Sequence, residues 1–455
     1  MRSSIIAVIC VIAFAGLTVL ADERPNIVII YADDLGYGDL GCYGSPTIRT
    51  PYLDRMAAQG LRFTDFYSTA EVCSPSRAAL MTGRYPIRSG MFGRRRVLFP
   101  DSKGGLPSNE VTIAEILQAK GYATAQVGKW HLGIHEGSRP FEQGFEFSYG
   151  LPYSNDEDAR PGVSDEDANS PTPFADGWNV PLISNGKIIE RPADQTKLTQ
   201  RYTETAISFI RQKKDNPFFL YMAHNFPHIP LFASPKFKGK SRAGIYGDTV
   251  EELDWSVGQV LETLKQEGIS ERTLVFFSSD NGPWLIMGNQ AGSAGLLREG
   301  KGSTWEGGMR VPGIAFWPGK IAPGVTSEPV NTMDLFVTAV SLGHGTLPAN
   351  TTIDGRDVTS LLLHGTPPPT SPFFYYRGNQ LMACRLGEWK AHFFTQAGYG
   401  QPSPEQHDPP LLFHLGLDPS EKRNVAAEHP DVIARIRDAV IRHQSNLVPG
   451  NPQFD

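Results

Sequence analysis

Cys73 is followed by a Ser74-Pro75-Ser76 turn and, four residues on, by Arg77. The apolar run Ala78 to Met81, closed by Gly83, predicts a turn that feeds a helix. Such a helix presents its positive end at Cys73, where anions are favoured, with Arg77 one turn along as a fixed cation. Four further polar clusters follow apolar runs. Asp33 and Asp34 end the first; adjacent carboxylates repel, and a divalent cation relieves them, although a solvated turn has the same composition. Lys129 and His131 lie two apart between Gly128 and Gly133, and on an extended segment they share a face. Asp280 and Asn281 sit in an ordinary-looking turn, and His228 lies beyond another run. His224 and His228 have helical spacing, but Pro227 and Pro230 argue against a helix there and so against zinc.

The elements that must position these groups are readable from periodicity. Asn26 to Tyr31, Leu61 to Tyr67, Tyr122 to Val127, Phe218 to Ala223 and Thr273 to Phe277 read as strands. Helical spacing covers Thr50 to Gln59, Val111 to Gly121, Lys197 to Lys213 and Ile245 to Gly268. The alternation predicts an α/β fold with a largely parallel sheet flanked by helices. In such a sheet the carboxyl ends of the strands share one edge, which gathers the clusters into one anion site with a hard cation. The oxygen donors Asp33, Asp34, Asp280 and Asn281 suit calcium better than zinc. Beyond Leu362 the Thr366-Pro-Pro-Pro-Thr370 run reads as a linker. Short strands (Phe373 to Tyr376, Trp389 to Phe394) and a closing helix, Pro430 to Ser445, then predict a smaller α+β domain over 366–455, after a catalytic domain over 22–365. Arg94-Arg95-Arg96 reads as a solvated loop, and the acidic stretch Ser154 to Pro173 as a surface loop on the rim of the pocket.

The 455 residues are 40% hydrophobic and 20% charged, as in a globular enzyme, and the formal net charge of −6 argues against a nucleic-acid partner. Met1 to Ala21 carries Arg2, an apolar stretch and a small-residue end, the pattern of a removable secretory signal; no later segment predicts a membrane span. The chain is therefore expected to be exported, with the destination (periplasm, exterior or lysosome) set by its source. Cys42 and Cys384 are left to pair or to stay free, and a homo-oligomer is left open.

Cys-Ser-Pro-Ser-Arg, continued by Ala-Ala-Leu-Met-Thr-Gly-Arg, resembles the signature of the type I, formylglycine-dependent sulfatases, and Gly-Lys-Trp-His-Leu-Gly at 128–133 resembles their second signature. The resemblance implies an alkaline-phosphatase-like sheet and hydrolysis of a sulfuric ester, with a sulfated saccharide or an aryl sulfate as substrate. It implies that a formylglycine-generating enzyme oxidises Cys73 to formylglycine (3-oxoalanine), whose hydrate is the nucleophile. One Ca2+ is then held by Asp33, Asp34, Asp280, Asn281 and the modified Cys73. Lys129 and Lys301 bind the sulfate, and Lys301 sits in a family-like Gly-Lys…Glu-Gly-Gly segment. His131 contacts the formylglycine, His228 contacts the sulfate and is a candidate acid for the leaving group, and Asp280 is a candidate base. Ser154 falls near the sulfate and His407 toward the substrate. The competing readings are a phosphomonoester or phosphonate hydrolase of the same superfamily and a catalytically silent sulfate-binding homologue.

Overall fold

The computed structural model describes residues 24–163 and 177–455; the expected signal segment and residues 164–176 of the acidic stretch lie outside the described residues. Strand β1 (Asn26–Ala32) is buried along its whole length. Val28, Ile30 and Ala32 enter one core while Ile27, Ile29 and Tyr31 enter the other, because successive side chains leave opposite faces. A strand buried on both sides must lie in the middle of the sheet.

The other strands of that sheet are β2 (Leu61–Tyr67), β3 (Ala123–Gly128), β4 (Phe147–Gly150), β5 (Leu182–Ser184), β6 (Lys187–Glu190), β7 (Phe218–Ala223), β8 (Thr273–Ser279), β9 (Arg310–Phe316), β10 (Gly324–Thr326) and β11 (Val330–Asn331). Their order is β10-β2-β9-β8-β1-β7-β3-β4-β5-β6, with β11 beside β2. From β8 to β4 every pairing is parallel. Antiparallel pairs occur outside that block, where β9 lies between β8 and β2 and where β5 joins β4 and β6. An antiparallel neighbour needs no helical crossover, so the chain between β8 and β9 is free to form the loop that carries Lys301.

Helices cover both faces. On one side α1 (Pro51–Gln59), α4 (Leu198–Lys213) and α5 (Gly244–Gln266) supply Leu53, Tyr202 and Val257 to the core. On the other, α2 (Cys73–Thr82), α3 (Ile113–Ala119) and α6 (Thr332–Leu342) supply Leu80, Ile113 and Phe336. Gly83 ends α2 in the left-handed region at φ 68°, which a side chain would strain.

The carboxyl-terminal part is a separate antiparallel sheet, β12 (Phe373–Arg377), β13 (Gln380–Leu386), β14 (Trp389–Thr395) and β15 (Glu405–His414), covered by α7 (Pro430–Ser445). A buried ionic network joins it to the main sheet. Glu306 accepts hydrogen bonds from Lys390 Nζ at 2.9 Å and Tyr375 Oη at 3.2 Å on one side of the junction and from Tyr67 Oη at 2.5 Å on the other. Burial opposes the charge on Glu306, but Lys390, Arg310 and Arg385 outweigh it and pull its carboxyl down to about 2. Removing one member leaves the others buried and unpaired. Glu306→Ala is expected to cost about 3–5 kcal/mol, read as a lower urea midpoint; a midpoint within error of the native protein would show the network to be dispensable.

Cys42 and Cys384 do not pair; both are free, Cys384 buried in the second sheet. Nor is the arginine cluster a wholly solvated loop. Arg96 donates to Glu71 at 2.9 Å and to the carbonyl oxygens of Gly302 and Gly398, because the cluster lies where three loops meet.

Candidate active site

The site is assembled where β1, β3, β7 and β8 end. Asp34 takes a left-handed conformation (φ 62°), which turns its backbone N–H toward the end of β8, where it donates to Asp280 Oδ1 at 3.2 Å. Asn281 Nδ2 donates to Asp34 Oδ1 at 2.7 Å, while Asn281 Oδ1 is buried without a hydrogen-bond partner. Cys73 is the first residue of α2, 2% exposed, with its Sγ–H directed to Asp33 Oδ1 at 3.4 Å. Arg77, also fully buried, reaches Asp280 Oδ2 through Nε at 2.9 Å and Nη2 at 2.8 Å, and Asp33 Oδ2 at 3.4 Å.

Two lysines enter from opposite sides. Lys129, just past β3, places Nζ 2.5 Å from Asp33 Oδ2 and 3.0 Å from Ser154 Oγ. Lys301 places Nζ 2.8 Å from Asp34 Oδ2 and 4.3 Å from the ring centre of Trp284. His228, beyond β7, has Nε2 3.6 Å from Asp34 Oδ2. Ligand atoms of Asp33, Asp34, Cys73 and His228 all fall within 4.8 Å of one another.

The charges are strongly coupled. Burial works against ionised Asp33, but Lys129, His228 and Arg77 prevail and hold its carboxyl well below the usual range. Burial and the Asp33 charge push Asp280 up to about 7 and raise Asp34 as well. Burial, with Lys301 adding, lowers His228 to about 3. Burial and Asp33 keep the Cys73 thiol protonated, so the cysteine as encoded is no thiolate nucleophile. Three carboxylates crowded together, with the carbonyl oxygen of Asn281 facing no donor, form a set that a hard divalent cation fits.

Ten of the residues singled out from sequence converge here: Asp33, Asp34, Cys73, Arg77, Lys129, Ser154, His228, Asp280, Asn281 and Lys301. His131 borders them, but not by the shared face expected of an extended segment. Its φ is 59°, which sends its ring to Leu98 O, 2.8 Å from Nε2, while Lys129 turns to Asp33. His407 lies in β15 and its Nε2 meets Thr395 Oγ1 at 2.8 Å. The carboxyl-terminal side chain that borders the lysine is instead Tyr399, whose ring packs 5.6 Å from Trp284, itself 5.4 Å from the His228 ring. Glu157, expected on a surface loop, has a side chain only 5% exposed that lies 3.1 Å from His131 Nε2. Trp284, Tyr399 and Glu157 carried no sequence signal, since each is brought in by a loop with no periodicity.

The family profile described as Sulfatase matches residues 25–345, and the one described as C-terminal region of aryl-sulfatase matches 368–455. The chain belongs to the sulfatase family. Human arylsulfatase A is 45% identical to this sulfatase over 93% of its chain and 88% of the relative. Mouse N-acetylgalactosamine-6-sulfatase is 42% identical over 96% and 89%. Among solved structures, the PsFucS1 sulfatase from Pseudoalteromonas sp. superimposes with a TM-score of 0.83 at 30% identity, covering 94% of this chain and 92% of that one. Ps i-CgsB in complex with k-i-k-neocarrahexaose gives 0.79 at 31%, covering 94% and 95%. Phosphonate monoester hydrolase SpPMH from Silicibacter pomeroyi shares the fold, with a TM-score of 0.63 at 17% identity over 94% and 96%.

Proposed function

We propose that this sulfatase releases inorganic sulfate from a sulfated carbohydrate, with aryl sulfates as small surrogates, and that residue 73 acts as formylglycine beside one Ca2+. The observation that carries the reading is the placement of Cys73 in the first turn of a buried helix, ringed by Arg77, Lys129, Lys301 and His228. The family supports a sulfate ester as the bond cleaved. The carbohydrate reading draws on relatives named for a sulfated amino sugar and on a solved relative bound to a neocarrahexaose. Formylglycine, when formed by its generating enzyme, supplies an oxygen nucleophile, and calcium supplies positive charge on the sulfuryl oxygens.

Asp33, Asp34, Asp280 and Asn281 would hold the ion, together with residue 73. Arg77 fixes Asp280 and Asp33 in place. Lys129 and Lys301, with Ser154 and His228, bind the sulfate oxygens; fixed charges aimed at such oxygens are usually the largest catalytic contribution. Lys301 protonates the departing oxygen, or His228 does so once it has itself gained a proton at Nε2, and His131 takes a proton at Nδ1. A contact from His407 to a longer substrate belongs to the same proposal. So do domain limits of 22–365 and 366–455 and export after removal of residues 1–21. Among the described residues no helix is long and apolar enough to cross a membrane.

Co-expression with a formylglycine-generating enzyme, followed by peptide mass spectrometry and parallel assays on aryl sulfate, aryl phosphate and defined sulfated saccharides, tests the proposal. An aldehyde at 73 with preferential turnover of sulfate is expected. Preferential turnover of phosphate would transfer the protein to the phosphoester and phosphonate hydrolases. Sulfate binding with only a thiol at 73 would make it a silent homologue.

A further inference from the structure

We propose that Tyr399 helps to choose the substrate: its hydroxyl donates a hydrogen bond to an oxygen of the saccharide ring that carries the sulfate ester. The proposal rests on the carbohydrate reading above and gives the carboxyl-terminal domain a part in recognition. Tyr399 lies in the connection between β14, which ends at Thr395, and β15, which begins at Glu405. That connection is seated directly beside Lys301. A Cβ on Gly398 would stand 2.4 Å from the carbonyl oxygen of Lys301, so only glycine allows the approach. Gly398 O accepts from Arg96 Nη1 at 3.3 Å and from Arg377 Nη2 at 3.4 Å, and Ala397 O accepts from Arg377 Nη1 at 3.0 Å. Arg96 also donates to Gly302 O at 3.0 Å, which ties the connection to the residue after Lys301. Gln401 closes the loop on itself, accepting from Gln396 Nε2 at 2.8 Å through its carbonyl oxygen and from the Ala397 N–H at 2.9 Å through Oε1.

The Tyr399 ring is packed by its neighbours, whereas its hydroxyl is engaged by none of them. The Trp284 ring lies 5.6 Å away, tilted by 34°, and the Arg96 guanidinium lies 5.6 Å from the Tyr399 ring centre. Among the described residues Tyr399 Oη meets no hydrogen-bond partner, and it lies within electrostatic reach of the Lys301 ammonium. A phenol is a neutral donor at working pH. Depth in the site assigns what it meets. Lys129, Lys301 and His228 are buried at the base, where the sulfate oxygens are read to bind. Trp284 and Tyr399 are half-buried, and Leu285 and Ile286, next in the chain after Trp284, are 42% and 58% exposed. An ester whose sulfate reaches the cations leaves its alcohol portion at the level of the two aromatic rings. A saccharide offers hydroxyl and ring oxygens at that level, together with an apolar face for the rings; a simple aryl sulfate offers a ring and no such oxygen.

The test is full-length Tyr399→Phe, co-expressed with the formylglycine-generating enzyme and assayed on an aryl sulfate and on the sulfated saccharide that the native enzyme turns over fastest. Phenylalanine keeps the ring against Trp284 and Arg96 and removes only the donor. The ratio of kcat/KM for the saccharide to that for the aryl sulfate is expected to fall about tenfold, the upper scale of one neutral hydrogen bond. The loss is expected in KM for the saccharide and not in kcat, because the contact is made alike in the bound ground state and the transition state. Tyr399→Ala, which removes the ring as well, is expected to lower the ratio further. Circular dichroism and melting establish that both variants are folded. A folded Tyr399→Phe enzyme with the native ratio, or one whose loss lies in kcat alone, overturns the proposal and leaves the carbohydrate reading standing. A native enzyme that releases sulfate from no defined saccharide overturns that reading and this proposal with it, and the native protein alone shows it.

Discussion

Cys73→Ala is expected to reduce sulfate release by about 10^5-fold or to background, the scale on which losing a covalent nucleophile is felt. Alanine lacks the thiol through which the β-carbon would be oxidised to the aldehyde, and no other hydroxyl or thiol in the cluster replaces it. Ser154 belongs to the cluster, but its Oγ already accepts from Lys129 at 3.0 Å. Structure persists, because a buried sulfur traded for a methyl costs only about 1 kcal/mol. Circular dichroism and melting separate the two effects. A folded variant retaining a few per cent of activity would remove residue 73 from the chemistry.

Stripping divalent metal with a chelator is expected to lower activity by roughly 10^3-fold, the several kcal/mol that a Lewis-acidic ion contributes. Calcium is expected to restore it and zinc not, because the proposed donors Asp33, Asp34, Asp280 and Asn281 all offer oxygen. The charges say why substrate binding weakens as well. Asp33 and Asp34 neutralise Lys129 and Lys301 at 2.5 Å and 2.8 Å, so both ammonium groups are engaged by carboxylates. A cation that takes over those carboxylates releases the lysines for the anionic ester. KM is therefore expected to rise with chelator and to fall on adding calcium. Activity and KM indifferent to chelator would refute a metal-dependent site.

The strand-end clusters were legible in the sequence because each follows a continuous apolar run, and such a run has few places in an α/β fold other than the sheet interior. The family motifs supplied Lys301 and Ser154, which no periodicity would have found. What stayed hidden depends on contacts between distant loops. Strand β9 reads like any apolar run, and nothing local says that it pairs antiparallel between β8 and β2. Six acids between Asp156 and Asp167 suggest solvent, yet Glu157 is turned inward because Ser154, three residues before it, is anchored to Lys129. Arg96 looked solvated for the same reason: its partners Glu71, Gly302 and Gly398 are close only in three dimensions.

The near-total enclosure of Cys73 has a consequence for biosynthesis if residue 73 is oxidised as proposed. A side chain 2% exposed at the root of a buried helix gives a modifying catalyst no grip once tertiary packing is complete. The proposed conversion would then have to act on the nascent, still extended chain. Polypeptide that collapsed too quickly would be locked out of maturation, and the yield of competent enzyme would become a race between folding and oxidation.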